Sequence, residues 1–593
     1  MPLTPSERSG RLPGRFEIPL RFGHLSEFTD VPRCRCHGSP KAGCGIESGS
    51  SDMRAKRAAK QEEKELSVVK VLVSDNLAAQ GLEVLRQASG IELVEKPGLP
   101  AGELLEEIAD VDALVIRSGT KVTADVIAAA TNLKVVGRAG IGVDNVDVPA
   151  ATARGIAVLN TPEGNNITTA EHAIALLVSL ARHIPQATAS MKAGKWEKKK
   201  FQGMELYNRT LGVIGLGNIG RIAALRAQGL GMKVVAYDPP ISPEAAAKLG
   251  VELVSMEELF SRSDAITVHV PKTKETTGML NAAAFQKMKP GVLLINAARG
   301  GIIDEVDLLA ALDSGQVGGA ALDVFVEEPP PGDHPLLSHD RLICTPHLGA
   351  STEQAQVNVS VAVAEQVRDY VLDGVVRNAI NVPSVSPELR EEMAPYFQLA
   401  EKLGRFHGQL AATKIDQVEV EYAGEVAELR VAPITIAVLK GLLENVSERV
   451  NMVNAPLIAQ ERGIKLIESK VSRAQDFASC ITVRVKGTVD RLIAGAVFHG
   501  GQPRIVRIDD FMLEAIPEGP TLFLLNHDEP GVVGTVGTVL GEGGINISRM
   551  QLALVPERRE AAMLVNVDHV PDDAVMERLR NVSHMISAKI VEL

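Results

Sequence analysis

The chain has 593 residues, which at about 100–200 residues per domain makes several domains. Its 45% hydrophobic and 23% charged residues match ordinary globular usage and exclude global disorder. No apolar run approaches the roughly 18 residues that span a bilayer, and 62 Lys plus Arg stand against 74 Asp plus Glu, a net charge of −12. These features exclude a membrane protein and a broad nucleic-acid-binding face, while leaving room for a local basic pocket.

The charge is uneven. Residues 1–66 hold 12 basic and 9 acidic groups, a net of +3, so the remainder carries −15. The first 52 residues contain 6 Pro, 7 Gly and 7 Ser without helical or strand periodicity, and residues 1–66 read as a disordered tail. Either they are dispensable residues before a start at Met53, or they are a transit peptide, against which Glu7, Glu17, Glu27, Asp30 and Glu47 count. Cys34, Cys36 and Cys44 sit there beside His37, but the short C-x-C spacing lacks a scaffold and no metal site is expected. Cys344 and Cys480 lie in apolar strand-like runs and are expected as buried thiols, which suits a reducing compartment, the cytoplasm or a plastid.

From Val68 onward, short apolar runs alternate with helical stretches. VVKVLVSD (68–75), ALVIRSGT (113–120), LKVVGRAG (133–140) and IAVLNTP (156–162) are expected strands of a parallel sheet covered on both faces. Thr168-Thr-Ala-Glu171 reads as a capping box opening the next helix. After a Lys-rich loop, a second series begins at Thr210, with strands LGVIGLG, KVVAYD, AITVHV, GVLLIN, GAALDV and RLICTP, enough for one doubly wound domain. A helical stretch over 351–373 precedes NAINVPSVSP (378–387), which reads as a linker. Residues 388–517 read as α+β, and 520–593 as a βαββαβ unit that stands alone.

Gly215-Leu-Gly217-Asn-Ile-Gly220 follows an apolar strand and opens a helix, and the next strand ends in Asp238. This context makes the glycine run a dinucleotide fingerprint: the glycines admit a pyrophosphate to the helix N-terminus, and the acid accepts the ribose hydroxyls, favouring NAD over NADP. Beyond three later strands stand Arg299, Glu328 and His347. A histidine can take the proton from an alcohol that loses hydride, a carboxylate beside it fixes its tautomer, and an arginine grips a substrate carboxylate.

GLGNIG with Asp238, NAARGG, DVFVEEP and PHLGAST resemble the signature runs of the D-2-hydroxyacid dehydrogenase family. IRSGTKVTADV, GRAGIGVDNVD and GKWEKKKFQGMEL resemble more narrowly its members acting on D-3-phosphoglycerate, in their long form. The resemblance covers roughly residues 68–593. It implies an α/β fold of two doubly wound parallel-sheet domains, followed by an α+β intervening domain and an ACT domain. The implied boundaries are 67–166 with 351–381 for substrate binding, 167–350 for a Rossmann NAD-binding domain, 388–517 and 520–593. It further implies NAD-dependent oxidation of 3-phosphoglycerate to 3-phosphohydroxypyruvate, the first step of serine synthesis.

By this resemblance His347 is the acid/base, Glu328 its partner and Arg299 the carboxylate anchor. NAD contacts fall on Ile141, Gly215, Gly217, Asn218, Ile219, Gly220, Asp238, Val270, Ala297, Ala298, Arg299, Asp323 and the run His347, Leu348, Gly349 and Ala350. Val270 departs from the Thr of some relatives, which preserves only a backbone contact. Arg117, Ser118, Gly119 and Arg138 are the candidate phosphate or carboxylate ligands, and Lys198–Lys200 either add charge from a neighbouring subunit or form a solvated loop. Asn526, Asp528 and Asn546 are candidates to hold L-serine as feedback inhibitor across a subunit interface of a homodimer or homotetramer. The alternatives are a dehydrogenase of another D-2-hydroxyacid, such as glycerate or 2-hydroxyglutarate, a non-catalytic NAD-sensing regulator, or an amino-acid sensor centred on 520–593.

Overall fold

The computed structural model describes residues 68–383, 387–410, 414–446, 449–473 and 476–593. The expectations for the tail, with its cysteines and alternative start, lie outside the described residues.

The first sheet has five parallel strands in the order Ile91–Glu95, Val69–Val73, Ala113–Ile116, Val135–Arg138, Ala157–Leu159. Ile91–Glu95 is absent from the sequence reading because its two glutamates and lack of fully buried positions belong to an edge strand. The long helix Glu353–Asp373 returns to cover one face, packing Val359, Val363 and Val367 onto Val71, Val115 and Val135.

The segment 378–381, expected as linker, is instead stitched to this sheet. Ile380 N donates to Val158 O at 2.8 Å. The Asn381 side chain accepts from Val158 N and donates to Ile156 O and Thr152 Oγ1, each at 2.9 Å. An edge strand exposes unpaired backbone groups, and this run satisfies them.

The second sheet has seven parallel strands: Leu342–Cys344, Val317–Leu322, Val292–Asn296, Ala265–Val268, Thr210–Ile214, Lys233–Tyr237 and Glu252–Leu253. The chain runs outward from Thr210–Ile214, then crosses to its other side at Ala265–Val268. That reversal opens a crevice at the carboxyl ends of these two strands, the usual ligand position in such sheets. Helix Asn166–Ala181 begins two residues before the expected capping box. Thr168 lies inside it, its hydroxyl 3.2 Å from that of Thr352, and Thr169 donates to Gly349 O, so tertiary partners took the place of capping. Cys344 is exposed rather than buried, because its strand is the outer edge of the sheet; Cys480 is half-buried.

The intervening domain packs helices Pro387–Leu410 and Ala432–Leu443 on a six-stranded sheet in the order 465–471, 415–424, 479–487, 491–498, 502–508, 511–515. The terminal unit has the expected βαββαβ order, with strands Pro520–His527, Ile547–Val555, Glu560–Val567 and Met585–Glu592. It does not stand alone. Its two helices cover one face of its sheet, whereas Phe523, Ala553, Ala562, Leu564 and Val591 on the other face join the core of the intervening domain. A sheet has two faces to bury, and two helices fill only one. No helix among the described residues is long and apolar enough to cross a membrane.

Candidate active site

The strand Thr210–Ile214 delivers the glycine run at the crossover. A Cβ at Gly215 would stand 2.6 Å from His269 O, and one at Gly220 would stand 1.9 Å from Gly215 O, whereas one at Gly217 would meet nothing within 4 Å. Two of the glycines therefore close the turn against the protein itself, and the third leaves open space at the N-terminus of helix Asn218–Gly229, where a pyrophosphate fits. Asp238 accepts a hydrogen bond from Leu216 N at 2.6 Å through Oδ2, which ties the acid to the glycine loop.

A cleft of about 500 Å³ extends from this loop and is lined from both α/β domains. The first domain contributes Arg138, Ile141, Gly142 and Asp144; the second contributes Asn218, Ile219, Val270, Ala297, Ala298, Arg299, His347, Gly349 and Ala350. Each catalytic candidate is placed by the residues around its strand end. Asn296, buried at the end of strand Val292–Asn296, accepts from Ala298 N and donates to Arg299 O, shaping the loop that presents Arg299. Glu328 accepts from Phe325 N and stands 2.7 Å from Nδ1 of His347 through Oε2. Burial works to raise the Glu328 carboxyl, but the bonds from His347 and Phe325 and the charge of Arg299 outweigh it and hold the group below its ordinary range. With Nδ1 engaged, Nε2 of His347 is the nitrogen left for a substrate proton.

Asp323 lies under the His347 loop. It is fully buried, and its carboxylate accepts from Leu348 N at 2.7 Å, Gly349 N at 2.8 Å and Thr345 Oγ1, with Nε2 of His172 at 3.1 Å. These bonds prevail over burial and hold its pKa below the ordinary value. The side chain organises the His347 loop and is not among the residues lining the cleft. Leu348 is exposed and lies outside the cleft lining.

Arg138 is the unbalanced charge of the site. Its Nε is buried without a partner, and desolvation together with Arg299 pushes its pKa down to about 10. Guanidinium groups stay protonated in proteins, so the direction reports a cation short of anionic company. Arg117 stands outside the lining: its backbone N and that of Thr120 donate to Asp75, Nη1 reaches Asn76 O at 3.3 Å, and burial lowers its pKa. Ser118 and Gly119 are exposed on the same turn. Lys198–Lys200 form an exposed 3₁₀ turn away from the lining.

The sequence reading missed Asp144, Asn165 and His269. Asp144 Oδ2 accepts from Arg299 Nε at 2.9 Å, across the two domains. Asn165 and Asn166 line the cleft with amide oxygens that are buried and unpartnered, and His269 is kept neutral, its pKa lowered to about 4 by burial. Asp144 sits inside a quoted run, GRAGIGVDNVD, and its acid among small residues was the available signal. No group of His, Cys, Asp or Glu among the described residues is arranged to hold a metal.

In the terminal unit, Asn526 is buried at the end of its strand, its Nδ2 on His527 O at 2.6 Å and its Oδ1 without a partner. Asp528 is exposed on the following loop. Asn546 is also exposed but lies at the opposite end of the sheet: Asn526 and Leu554 both pair with Ala561, whereas Ile547 pairs with Val567. Seven residues of strand separate those ends, roughly 20 Å, so a single chain does not assemble the three.

Comparison with known proteins matches three family models: the NAD-binding domain of D-isomer-specific 2-hydroxyacid dehydrogenases over residues 174–349, the D-3-phosphoglycerate dehydrogenase intervening domain over 392–509 and the ACT domain over 521–584. D-3-phosphoglycerate dehydrogenase of Synechocystis is 45% identical over 530 residues, covering 89% of this chain and 95% of the relative. The chloroplastic D-3-phosphoglycerate dehydrogenase 2 of Arabidopsis thaliana is 40% identical over 534 residues, covering 87% of this chain and 85% of the relative. A crystal structure of a glyoxylate reductase from Paecilomyes thermophila, 30% identical, superimposes with a TM-score of 0.50 over 55% of this chain and 100% of its own.

Proposed function

The chain belongs to the D-3-phosphoglycerate dehydrogenase family, NAD-binding oxidoreductases, and from that premise we propose how its cleft oxidises 3-phospho-D-glycerate to 3-phosphohydroxypyruvate. NAD, when bound, supplies the acceptor for the hydride of C2. His347 takes the C2 hydroxyl proton on Nε2, while Glu328 on Nδ1 fixes the ring and stabilises the imidazolium that forms. Arg299 grips the substrate carboxylate and polarises the carbonyl being formed. Arg138, reinforced by Arg117 at the rim, receives the phosphate.

The observation that carries this reading is the pairing of an acid/base dyad with two arginines in one cleft, one of them with its Nε buried and unpartnered. A substrate anionic at both ends fits two cations in one cleft, which favours 3-phosphoglycerate over glycerate, while the names of the relatives favour it over 2-hydroxyglutarate, also anionic at both ends. Following NADH formation with 3-phosphoglycerate, glycerate and 2-hydroxyglutarate tests it. The phosphorylated substrate should give the highest kcat/KM, and a preference for either unphosphorylated acid would overturn the assignment.

We further propose that L-serine inhibits through the ACT unit. Strand Ile547–Val555 is an outer strand of its sheet and exposes Leu552 and Leu554. Antiparallel pairing of two such edges about a two-fold axis would carry Asn546 of one copy to the sheet end that bears Asn526 and Asp528 of the other. This supports a homodimer or homotetramer as the regulated species. NADH formation measured with added L-serine should fall, and fall less in Asn526→Ala. A reducing compartment suits the free thiols of Cys344 and Cys480: the cytoplasm or, in keeping with the chloroplastic name of the Arabidopsis relative, a plastid.

A further inference from the structure

One ion pair in the cleft has no part in the proton and hydride steps. Asp144 comes from the first α/β domain and Arg299 from the second, 155 residues further along the chain. Arg299 Nε donates to Asp144 Oδ2 at 2.9 Å, and Nη1 donates to Ala298 O at 2.7 Å. A guanidinium has five N–H groups, so three stay free for a ligand, all of them on the terminal nitrogens. The approach depends on the bare backbone of the turn before Asp144. A Cβ at Gly142 would stand 1.6 Å from Arg299 Nη2 and 2.7 Å from Asp144 Oδ2.

As an exposed pair, with the Asp144 side chain 63% accessible, this contact adds little to stability. Its effect is on direction. Among the described residues, Asp144 is the one carboxylate hydrogen-bonded to Arg299; it takes the Nε edge and leaves the terminal edge, which is the one able to grip a second carboxylate in bidentate fashion. Asp144 also offsets the mutual repulsion of Arg138 and Arg299, which face the same cleft.

We propose that Asp144 is a positioning residue for the oxidation. Seated with Gly142 in a cradle on the first domain, it holds Arg299 of the second domain by its Nε edge, so that closing the cleft aims the terminal nitrogens at the substrate carboxylate. The inference rests on Arg299 as the carboxylate anchor. The opposite role, a carboxylate that occupies the substrate's place, would require Asp144 on the terminal nitrogens, and it sits on Nε.

The test compares Asp144→Ala, Asp144→Asn, Gly142→Ala and Arg299→Lys in the full chain, measuring kcat and KM for 3-phosphoglycerate, NADH binding by fluorescence and Tm. Asp144→Ala should raise KM by about tenfold or more, with a smaller change in kcat and with NADH binding and Tm retained. Asp144→Asn keeps an acceptor oxygen and should recover a large part of the loss. Gly142→Ala, which displaces the guanidinium, should reproduce the rise in KM. An unchanged or lowered KM in Asp144→Ala overturns the inference, the lowered value marking a competitor, and so does a parallel loss of NADH affinity and Tm. Arg299→Lys separates the two levels. If it raises KM while Asp144→Ala does not, the cradle fails and the anchor stands; if it leaves KM at the wild-type value, the anchor fails as well.

Discussion

At the scale of single residues, the site depends on two carboxylates with opposite surroundings. Glu328 is partly open and meets His347 directly; Asp323 is sealed beneath the His347 loop and meets its backbone. His347→Ala should lower kcat by about 10²-fold or more while NADH binding persists; wild-type turnover in that variant would remove the histidine from the mechanism. Asp323→Ala leaves Leu348 N, Gly349 N and Thr345 Oγ1 without their acceptor. At about 1–3 kcal/mol for each buried donor left unpaired, both Tm and kcat should fall, and a variant with full activity would show that the loop holds without it. His407 gives a pH dependence elsewhere. It is buried with Nε2 2.9 Å from Val483 O; burial lowers its pKa to about 3, against that bond and with help from Arg491. The unfolded chain, with an ordinary histidine pKa near 6.5, then binds the extra proton between about pH 6.5 and 3. Stability attributable to His407 is therefore intact above that window and lost as pH falls through it. A Tm series against pH should show this loss, and His407→Gln should flatten it.

At the scale of elements, the glycine run makes a prediction that separates folding from binding. Gly220→Ala drives a methyl to within 1.9 Å of Gly215 O, and should lower Tm because helix and strand must part. Gly217→Val meets no protein atom near its Cβ, so it should keep Tm and lose NADH affinity by filling the dinucleotide's place. Equal losses of Tm in the two variants would contradict this division. Elements also explain what was legible. Arg299, Glu328 and His347 could be found because each follows a short apolar strand of a parallel sheet, and strand ends of such a sheet converge. The capping box at Thr168 could not be judged in the same way: its hydroxyls are taken by Thr352 and Gly349, far away in sequence.

At the scale of the whole molecule, the last two domains share one core. Phe406 of the intervening domain meets Phe523 of the ACT unit edge to face at 6.0 Å, Lys589 donates to Leu410 O at 3.0 Å, and Gln409 exchanges hydrogen bonds with the backbone of Glu592. Removal of residues 518–593 would expose that apolar face. The truncated chain should then lose the cooperative melting of residues 388–517 and become open to limited proteolysis there, whereas an intact, protease-resistant 388–517 would mean that the two domains are independent. Contact also runs back toward the catalytic half: Asn451 Nδ2 donates to Gly155 O at 2.8 Å, and Val453 joins the core of the first sheet.

The sequence by itself determined the alternation of strand and helix, the dinucleotide loop, the three strand-end candidates Arg299, Glu328 and His347 and the order of the terminal unit. Each is a local matter, written in periodicity or in a few neighbouring residues. Only the tertiary structure decided that Asp323 is buried against the backbone of the His347 loop, that Asp144 meets Arg299, that 378–381 closes a sheet edge, and that Asn526 and Asn546 lie at opposite sheet ends. The physical reason is common to all four. Burial and hydrogen-bond partnership are set by groups brought together from distant parts of the chain, and a residue's own neighbours in sequence do not record which of them arrive.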